Sequence, residues 1–132
     1  MTHIHIGNAG ERIAREFCIR RGWNILHTNW RAGRGELDII AQDGSTTVFI
    51  EVKSRTSNTF GLPEEAITPA KQQALRTTIS AYCSKFHIKN FRVDVVGVKI
   101  RGTKARVRHL QHVELLPEEG LYARMPSGRL HR

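Results

Sequence analysis

The sequence predicts an α/β domain in which helices flank a mixed five-stranded sheet, in the order α-β-β-β-α-β-β. Two stretches repeat apolar residues at helical spacing, one near the N-terminus and one in the middle of the chain. Three β-rich runs lie between them, with turn signals that indicate an antiparallel meander. Two more β-rich runs follow the second helix, and a helix between two strands makes a parallel crossover. Together these features predict a sheet with both antiparallel and parallel neighbours.

The first helix is expected over residues 8–21 and the first strand over residues 23–30. Asn8 is a suitable N-cap, and Glu11 three residues later completes a capping-box pattern. Gly22 follows the helix where a C′ glycine belongs. The apolar stripe of this helix comprises Ala9, Ile13, Ala14, Phe17 and Cys18.

The second and third strands are expected over residues 36–42 and 46–54, after a loop at residues 31–35. Asp43-Gly44-Ser45 between the two strands is a strong hairpin signal. Because side chains alternate along a strand, one face of this hairpin is entirely apolar and is expected to be core. That face consists of Leu37, Ile39, Ala41, Val48, Ile50 and Val52.

The opposite face of the hairpin gathers three carboxylates and one ammonium. It carries Glu36 and Asp38 on one strand, and Glu51 and Lys53 on the other. The expected register sets Glu36 opposite Glu51, with Asp38 diagonally across. Like charges facing one another destabilise a hairpin, so the three acids require an explanation. The remaining residues of this face are Ile40 and Phe49.

A divalent cation between the acids supplies that explanation. Mg²⁺ and Mn²⁺ prefer oxygen ligands, and Mg²⁺ is usually held by one or two carboxylates plus waters and phosphate oxygens. Such a metal activates water for attack on a phosphate. Lys53 projects to the same side, where it would orient the water or stabilise charge on the phosphate. The alternative is that Glu51 and Lys53 are an exposed charge pair that contributes almost nothing.

The second half of the chain supplies a crossover helix and a final hairpin. Thr68 is a suitable N-cap and Pro69 occupies the first helical position. The elements expected after the acidic hairpin are a loop at 55–67, a helix to residue 87, a strand at 91–100, a turn near 102–103 and a strand over 101–110. A domain at 1–116 is therefore expected, followed by a flexible basic tail at 117–132.

Composition points to a protein that meets polyanions. The formal net charge is +9, and the sequence pI is about 10.4. Such a surplus favours phosphate backbones as partners, although a basic protein can also be merely soluble. The two cysteines show neither metal-ligand spacing nor a disulfide framework. The N-terminus lacks the pattern of a signal peptide and no apolar stretch is long enough to span a membrane, so we expect a cytoplasmic protein without membrane association.

Six segments form a combined pattern that is specific: GE at 10–11, GELDIIA at 35–41, VFIEVKSR at 48–55, FG at 60–61, TPAKQ at 68–72 and RVDVV at 92–96. Over residues 6–116 the chain closely resembles the YraN-like family of small bacterial proteins. That family is similar in pattern to archaeal Holliday-junction resolvases and, more broadly, to restriction-endonuclease-like PD-(D/E)xK nucleases.

The resemblance implies roles for particular residues. Asp38 matches the first motif acid, and Glu51 and Lys53 match the (D/E)xK pair, so these three are the expected catalytic residues. Asp38 and Glu51 are the expected metal ligands. Glu11 matches the acidic residue in the first helix of the resolvases. The chain departs from the pattern at Leu37, where the motif name has proline.

The expected function is that of a Mg²⁺- or Mn²⁺-dependent endonuclease acting on DNA, including branched or junction DNA, through a metal-activated water. The alternatives are a nucleic-acid-binding module that keeps the nuclease fold without cleaving, and a basic adaptor for a protein or ribosomal partner. The resemblance to junction resolvases implies a homodimer.

Secondary candidates each have two interpretations. Glu11 is either a capping residue or a site acid, and Glu36 is either a ligand or an exposed hairpin acid. Lys71 and Gln72 lie in the first turn of a helix, where phosphate binds well and a lysine opposes the helix dipole. Asp94 is interpreted as a hydrogen-bonded core carboxylate rather than a fourth site acid.

A set of cations is expected to bind the phosphate backbone, unless it simply solvates an edge strand. The histidines are scattered and suggest no metal site. The expected backbone-binding residues are Lys71, Arg12, Arg15, Arg34, Arg55, Arg101, Lys104, Arg106 and Arg108.

Overall fold

A computed structural model of the chain describes residues 3–56 and 68–115, with side chains from residue 7 onward. The expected loop between the third strand and the second helix lies mostly outside these residues, as does the expected tail at 117–132. The elements are α1 (His3–Arg20), β1 (Asn24–Ala32), β2 (Gly35–Asp43), β3 (Thr46–Thr56), α2 (Pro69–Phe86), β4 (Phe91–Arg101) and β5 (Lys104–Leu110).

The five strands form one sheet in the order β1-β2-β3-β4-β5. Strands β1, β2 and β3 form an antiparallel meander, and β4 and β5 form an antiparallel hairpin. Strands β3 and β4 are parallel, because α2 connects the end of one to the start of the other. The predicted α/β fold with a mixed sheet is confirmed, in the restriction-endonuclease-like order α-β-β-β-α-β-β.

The sheet is buried on both faces, which differs from the single core face expected for the acidic hairpin. Ile40 and Phe49, expected on the face of the acids, are buried in a core beneath α2. On the α1 face, the buried core is Ala14, Cys18, Trp23, Ile39, Ala41, Val48, Ile50, Val96 and Val98. On the α2 face, it is Leu37, Ile40, Phe49, Leu75, Ile79, Tyr82 and Val93.

Helix α1 begins five residues before the expected start. Asn8 lies inside the helix and is exposed, so the predicted capping box between Asn8 and Glu11 is wrong. An asparagine inside a helix costs only a fraction of a kcal/mol, roughly 0.7 at most, so a helix can run through a local cap signal. The C-terminal end follows the prediction, since Gly22 has a φ of 85° and its N–H donates to the Ile19 carbonyl.

The turns of the meander are tighter than expected. Asp43 pairs with Thr46, leaving a two-residue turn whose first residue, Gly44, has a φ of 63°. A positive φ at that position is what two-residue hairpin turns require. This turn shifts the register by two residues, so the expected opposition of Glu36 to Glu51 is wrong. The first hairpin likewise has only residues 33–34 between its strands, instead of a loop at 31–35.

Beyond the turn, the backbone ladder of β2 and β3 ends just before the acids. Ile39 and Ile50 form its last pair. The backbone N–H of Val52 then donates to Oδ2 of Asp38 at 2.8 Å, rather than to a backbone carbonyl. On β3, Glu51 comes one residue after Ile50, and on β2, Asp38 comes one residue before Ile39. Because the two strands are antiparallel, the two acids are neighbours across the hairpin.

The alternation of side chains between the two faces of the sheet also breaks near Asp38. Leu37, expected on the face of Ile39, packs instead in the core beneath α2. The pairing of β1 with β2 skips Asn29 and Asp38, and Asn29 has a φ of 50°. On β1 the left-handed residue breaks the alternation, so that His27 and Trp30 both face Tyr82. Leu37 pairs with Trp30 and lies on the same face.

Candidate active site

The centre of the candidate site is the buried carboxylate of Glu51, which is only 4 % exposed. Its Oε2 atom lies 3.3 Å from Nζ of Lys53 and 3.3 Å from Nζ of Lys71. An ionised carboxylate buried to this extent requires nearby positive charge. Lys53 supplies it from the same strand, and Lys71 supplies it from α2.

The first turn of α2 is fixed over Glu51 by the predicted cap. The Thr68 hydroxyl accepts a hydrogen bond from the Lys71 backbone N–H at 3.2 Å, and Pro69 occupies the first helical position. The dipole cost of a lysine at this end of a helix is offset by its contact with Glu51. Gln72 lies half-buried in the same turn.

Asp38 lies beside Glu51 and is half-buried. Burial raises the pKa of Asp38 to about 7, and the negative charges of Glu51, Glu11 and Glu36 contribute in the same direction. The hydrogen bond from the Val52 N–H opposes this pKa shift. Several acids near one carboxyl are therefore held together at an electrostatic cost to the folded protein.

Asn29 connects two of those acids. Its Nδ2 atom donates to Oε1 of Glu11 at 3.3 Å and to Oε2 of Glu36 at 3.1 Å. Glu36 also contacts Arg31, with 3.6 Å between Nη2 and Oε1. Glu11 thus faces the acidic cluster instead of capping its own helix, and Glu36 shares this cluster.

Two glycines allow the helices to approach the sheet next to these acids. A Cβ at Gly10 would collide with the Ser54 hydroxyl on β3, and a Cβ at Gly35 would collide with the Thr78 hydroxyl on α2. Gly10 precedes Glu11 in the chain, as Gly35 precedes Glu36. The same close contacts that pack the helices against the sheet therefore set the positions of two acids.

The donors present suit a hard divalent cation. Asp38 and Glu51 offer carboxylate oxygens, and two ammonium groups already contact Glu51, which shows that this position accommodates positive charge. Within residues 3–56 and 68–115 no three His, Cys, Asp or Glu side chains form a metal-ligating group. Two carboxylates match Mg²⁺, which keeps several waters, better than zinc, which takes three or four protein ligands.

The expected backbone-binding cations lie on different parts of the molecule. Arg55, Arg101, Lys104, Arg106 and Arg108 lie at the positions of β3, β4 and β5 that share the face of Glu51. Arg12 and Arg15 lie on α1, which packs on the opposite face. Arg34 is exposed in the turn between β1 and β2.

Asp94 is a hydrogen-bonded core carboxylate, as interpreted from the sequence. It is fully buried, and Arg92 Nε donates to its Oδ1 at 3.0 Å. His109 Nε2 lies 2.8 Å from Oδ2, and the His112 backbone N–H donates to Oδ1 at 3.1 Å. The Arg92 guanidinium also contacts Asp43, with 3.0 Å between Nη1 and Oδ2. This network ties β4 to β5 and to the turn of the acidic hairpin.

Asn29, which joins two of the acids, and Lys99, which lies opposite Arg106, were absent from the sequence prediction. Asn29 was signalled only by its type, because asparagine is rare within strands and tolerates the left-handed region. Lys99 was signalled by its spacing of two from Arg101, which places both cations on one face of β4.

Comparison with known proteins identifies the family of the chain. Residues 10–98 match the family described as "Uncharacterised protein family UPF0102". The chain belongs to this family. A UPF0102 protein of Caldicellulosiruptor saccharolyticus is 46 % identical over 100 residues, covering 74 % of this chain and 85 % of the relative. A UPF0102 protein of Beutenbergia cavernae is 42 % identical over 111 residues, covering 82 % and 94 %. One of Mycobacterium avium is 40 % identical over 118 residues, covering 86 % and 92 %.

Membership of UPF0102 confirms the resemblance to the YraN-like family. The matched residues 10–98 include all the acids of the candidate site, together with Lys53 and Lys71. Among the residues that the structure describes, neither helix is long and apolar enough to cross a membrane.

Proposed function

We propose that this member of UPF0102 is a metal-dependent endonuclease that hydrolyses phosphodiester bonds in DNA, including branched DNA. The observation that carries the proposal is the meeting of Asp38 with Glu51, with the ammonium of Lys53 3.3 Å from the Glu51 carboxylate. Phosphodiester hydrolysis develops negative charge on the phosphate, which a nearby ammonium stabilises. It also needs acids that hold a cation, so opposite charges at one partly buried position suit this reaction.

Each residue has a distinct part in this proposal. Asp38 and Glu51 would hold Mg²⁺ or Mn²⁺, which when bound supplies Lewis-acid polarisation of the phosphate and a more acidic water. Lys53 would stabilise the charge that develops on the phosphate oxygens or orient the attacking water. Lys71, half-exposed at the N-terminus of α2, would contact a phosphate once the cation neutralises Glu51.

Glu11 and Glu36, the two acids that Asn29 joins, support the same chemistry. Glu11 and Glu36 are fixed by Asn29 close enough to Asp38 to raise its pKa. A raised pKa at a partly buried acid is typical of sites that bind a cation or move protons. Glu11 and Glu36 would therefore strengthen the attraction of the site for a cation.

One observation favours a second candidate function, a nucleic-acid-binding module that does not cleave. Glu51 Oε2 contacts both Lys53 and Lys71, so its charge is compensated within the protein. In a non-cleaving protein these ion pairs would attach α2 to β3 and have no further role. The two candidates make opposite predictions for metal binding and for turnover.

The test compares wild type with Glu51→Gln on linear, flapped, single-stranded and four-way DNA in the presence of Mg²⁺ or Mn²⁺. We expect wild type to cleave at least one duplex-containing substrate, and the variant to lose about 100-fold or more in rate while still binding DNA in EDTA. Glu16→Gln is the matched control, because it removes one charge from an exposed position of α1. Equal cleavage by Glu51→Gln and Glu16→Gln would refute the proposal, and binding without cleavage by wild type would favour the second candidate.

The proposal extends to the assembly and the place of action. The resemblance to junction resolvases implies a homodimer, which sedimentation analysis at several concentrations tests. The proposed place of action is the cytoplasm, where bacterial DNA lies.

A further inference from the structure

The β4–β5 hairpin and the end of β3 present a continuous row of cations on the face that carries Glu51. Parallel pairing aligns Lys53 with Gly97 and Arg55 with Lys99. Antiparallel pairing then aligns Lys99 with Arg106. We call this surface the cationic track; its residues are Lys53, Arg55, Lys99, Arg101, Lys104, Arg106 and Arg108.

Alternation along the strands fixes the face. Val98 packs in the core beneath α1, and Ile100 packs against that core. Lys99 and Arg101 must therefore lie on the other face, which is also the face of Phe49 and Glu51. Helix α2 packs mainly against β1 and β2 and leaves this end of the sheet uncovered by the described residues. A groove of about 450 Å³ is lined there by Lys99, Arg101, Lys104, Ala105 and Arg106.

The track is electrostatically unfavourable in the isolated protein. Lys99 faces Arg106, and Arg101 faces Lys104, so two like-charge pairs lie directly across the hairpin. Residues 95–110 contain no aspartate or glutamate. Within the described part of the chain, no acid forms an ion pair with these four cations.

Protection of an edge strand does not account for this arrangement. Edge strands often carry charges that prevent pairing with other chains, and β5 is such an edge. Lys99 and Arg101, however, lie on β4, and Arg55 lies on β3, both of which are interior strands. Cations on interior strands of one face indicate a partner that covers the face.

We propose that the cationic track binds the phosphate backbone of double-helical nucleic acid. The track extends about 13 Å along β4 and about 10 Å across three strands. Duplex DNA carries one charge per 1.7 Å of its axis, so about 13 Å of duplex carries roughly eight phosphates around its circumference, and those on the near side would face the track. The row starts at Lys53, next to Glu51, so a backbone on the track leads into the candidate site.

The residue types of the track favour a duplex over a single strand as its ligand. Proteins that hold single strands combine cations with aromatic side chains on which the bases stack. The track contains no aromatic residue, whereas the exposed Phe86 and Phe91 lie at the other end of α2 and β4. Long cations without stacking platforms suit the outer phosphates of a helix, where contact is largely independent of sequence.

The inference rests on the proposed function in taking nucleic acid as the substrate, but its test does not depend on cleavage. Fluorescence anisotropy in EDTA would compare a labelled 20-base-pair DNA duplex with the same labelled strand alone, from about 50 to 300 mM NaCl. The variants are Lys99→Gln/Arg106→Gln and Arg101→Gln/Lys104→Gln. The matched control is Lys85→Gln/Lys89→Gln, which removes the same charge from the last turn of α2 and the segment before β4, whereas the track lies at the other end of β4.

We expect wild type to bind the duplex more tightly than the single strand. Each track variant should reduce the slope of log K against log salt by about 1.8, and the affinity at 0.1 M salt by about tenfold to 100-fold. The control pair should leave the slope unchanged, and melting temperatures of the track variants should equal or exceed that of wild type because like-charge pairs are removed.

Two results would overturn the inference: equal salt slopes for wild type and both track variants, or tighter binding of the single strand. If the salt slope fell in Arg12→Gln/Arg15→Gln but not in the track variants, the phosphate backbone would bind on the α1 face instead. If the track variants lose salt slope as expected but wild type does not cleave DNA, only the nuclease proposal is contradicted.

Discussion

The backbone N–H of Val52 donates a hydrogen bond to the Asp38 carboxylate at 2.8 Å, where the ladder between β2 and β3 ends. A side chain takes the place of a backbone carbonyl in the ladder. Asp38 is thereby fixed to the strand that carries Glu51. The two acids are held together by the path of the backbone, although their charges repel one another.

This arrangement predicts an unusual pH dependence of stability. The pKa of Asp38 is about 7 in the folded protein, against an ordinary value of 3.8. Between these values the folded state binds more protons than the unfolded state, so in EDTA the free energy of unfolding contributed by Asp38 falls as pH rises from about 4 to 7. Asp38→Asn keeps an acceptor for Val52 without the charge. It should equal wild type near pH 4 and exceed it near pH 8 by on the order of 1–3 kcal/mol, a value reduced for solvent screening of a half-buried group.

Denaturant unfolding of both proteins at several pH values measures that difference. Glu16→Gln serves as the control and should show a pH-independent difference from wild type. Addition of Mg²⁺ or Mn²⁺ at 100 times its Kd should stabilise wild type by about 2.7 kcal/mol and leave Asp38→Asn unchanged. A variant that is destabilised at every pH, beside a wild type without metal response, would make Asp38 a scaffold residue.

The sequence was sufficient to predict the strands and helices and that Asp38 lies close to Glu51, because these depend on local periodicity and turn chemistry. The cap at Thr68 and the glycine at Gly22 were recognised from residue type alone. The capping box at Asn8 failed because the competing interaction is tertiary: Glu11 bonds to Asn29, which is distant in sequence.

The detailed register could not be predicted for a different reason. Alternation assumes regular strands, whereas Asn29 on β1 is left-handed, and Leu37 on β2 pairs with Trp30 and shares its face. The ion pair between Lys71 and Glu51 depends on how α2 lies over the sheet, and local sequence does not specify that angle. The broken alternation lies next to the acids of the candidate site, and irregular backbone is common next to functional sites.

The approach of α1 to the sheet predicts opposite effects for two glycines of the same helix. Gly7→Ala places a methyl group in open space and should stabilise the protein by about 0.5–1 kcal/mol, because alanine favours a helix. Gly10→Ala drives a methyl group into Ser54 and should destabilise it by about 1–3 kcal/mol. Thermal or denaturant unfolding measures both. Ser54→Ala should recover part of the loss at Gly10, and equal effects of the two single changes would contradict this packing.

The buried network around Asp94 predicts different losses of stability for the two acids that contact Arg92. Asp94 is fully buried and also accepts from His112 and contacts His109, whereas the Asp43 side chain is 38 % exposed. Asp94→Ala should lower the free energy of unfolding by about 3–5 kcal/mol, because the buried Arg92 loses its main counter-charge. Asp43→Ala should cost about 1 kcal/mol or less, as expected for a partly exposed ion pair. Denaturant unfolding of each variant checks this difference. If Asp94→Ala were as stable as Asp43→Ala but failed to cleave DNA that wild type cleaves, Asp94 would belong to the active site and not to the core.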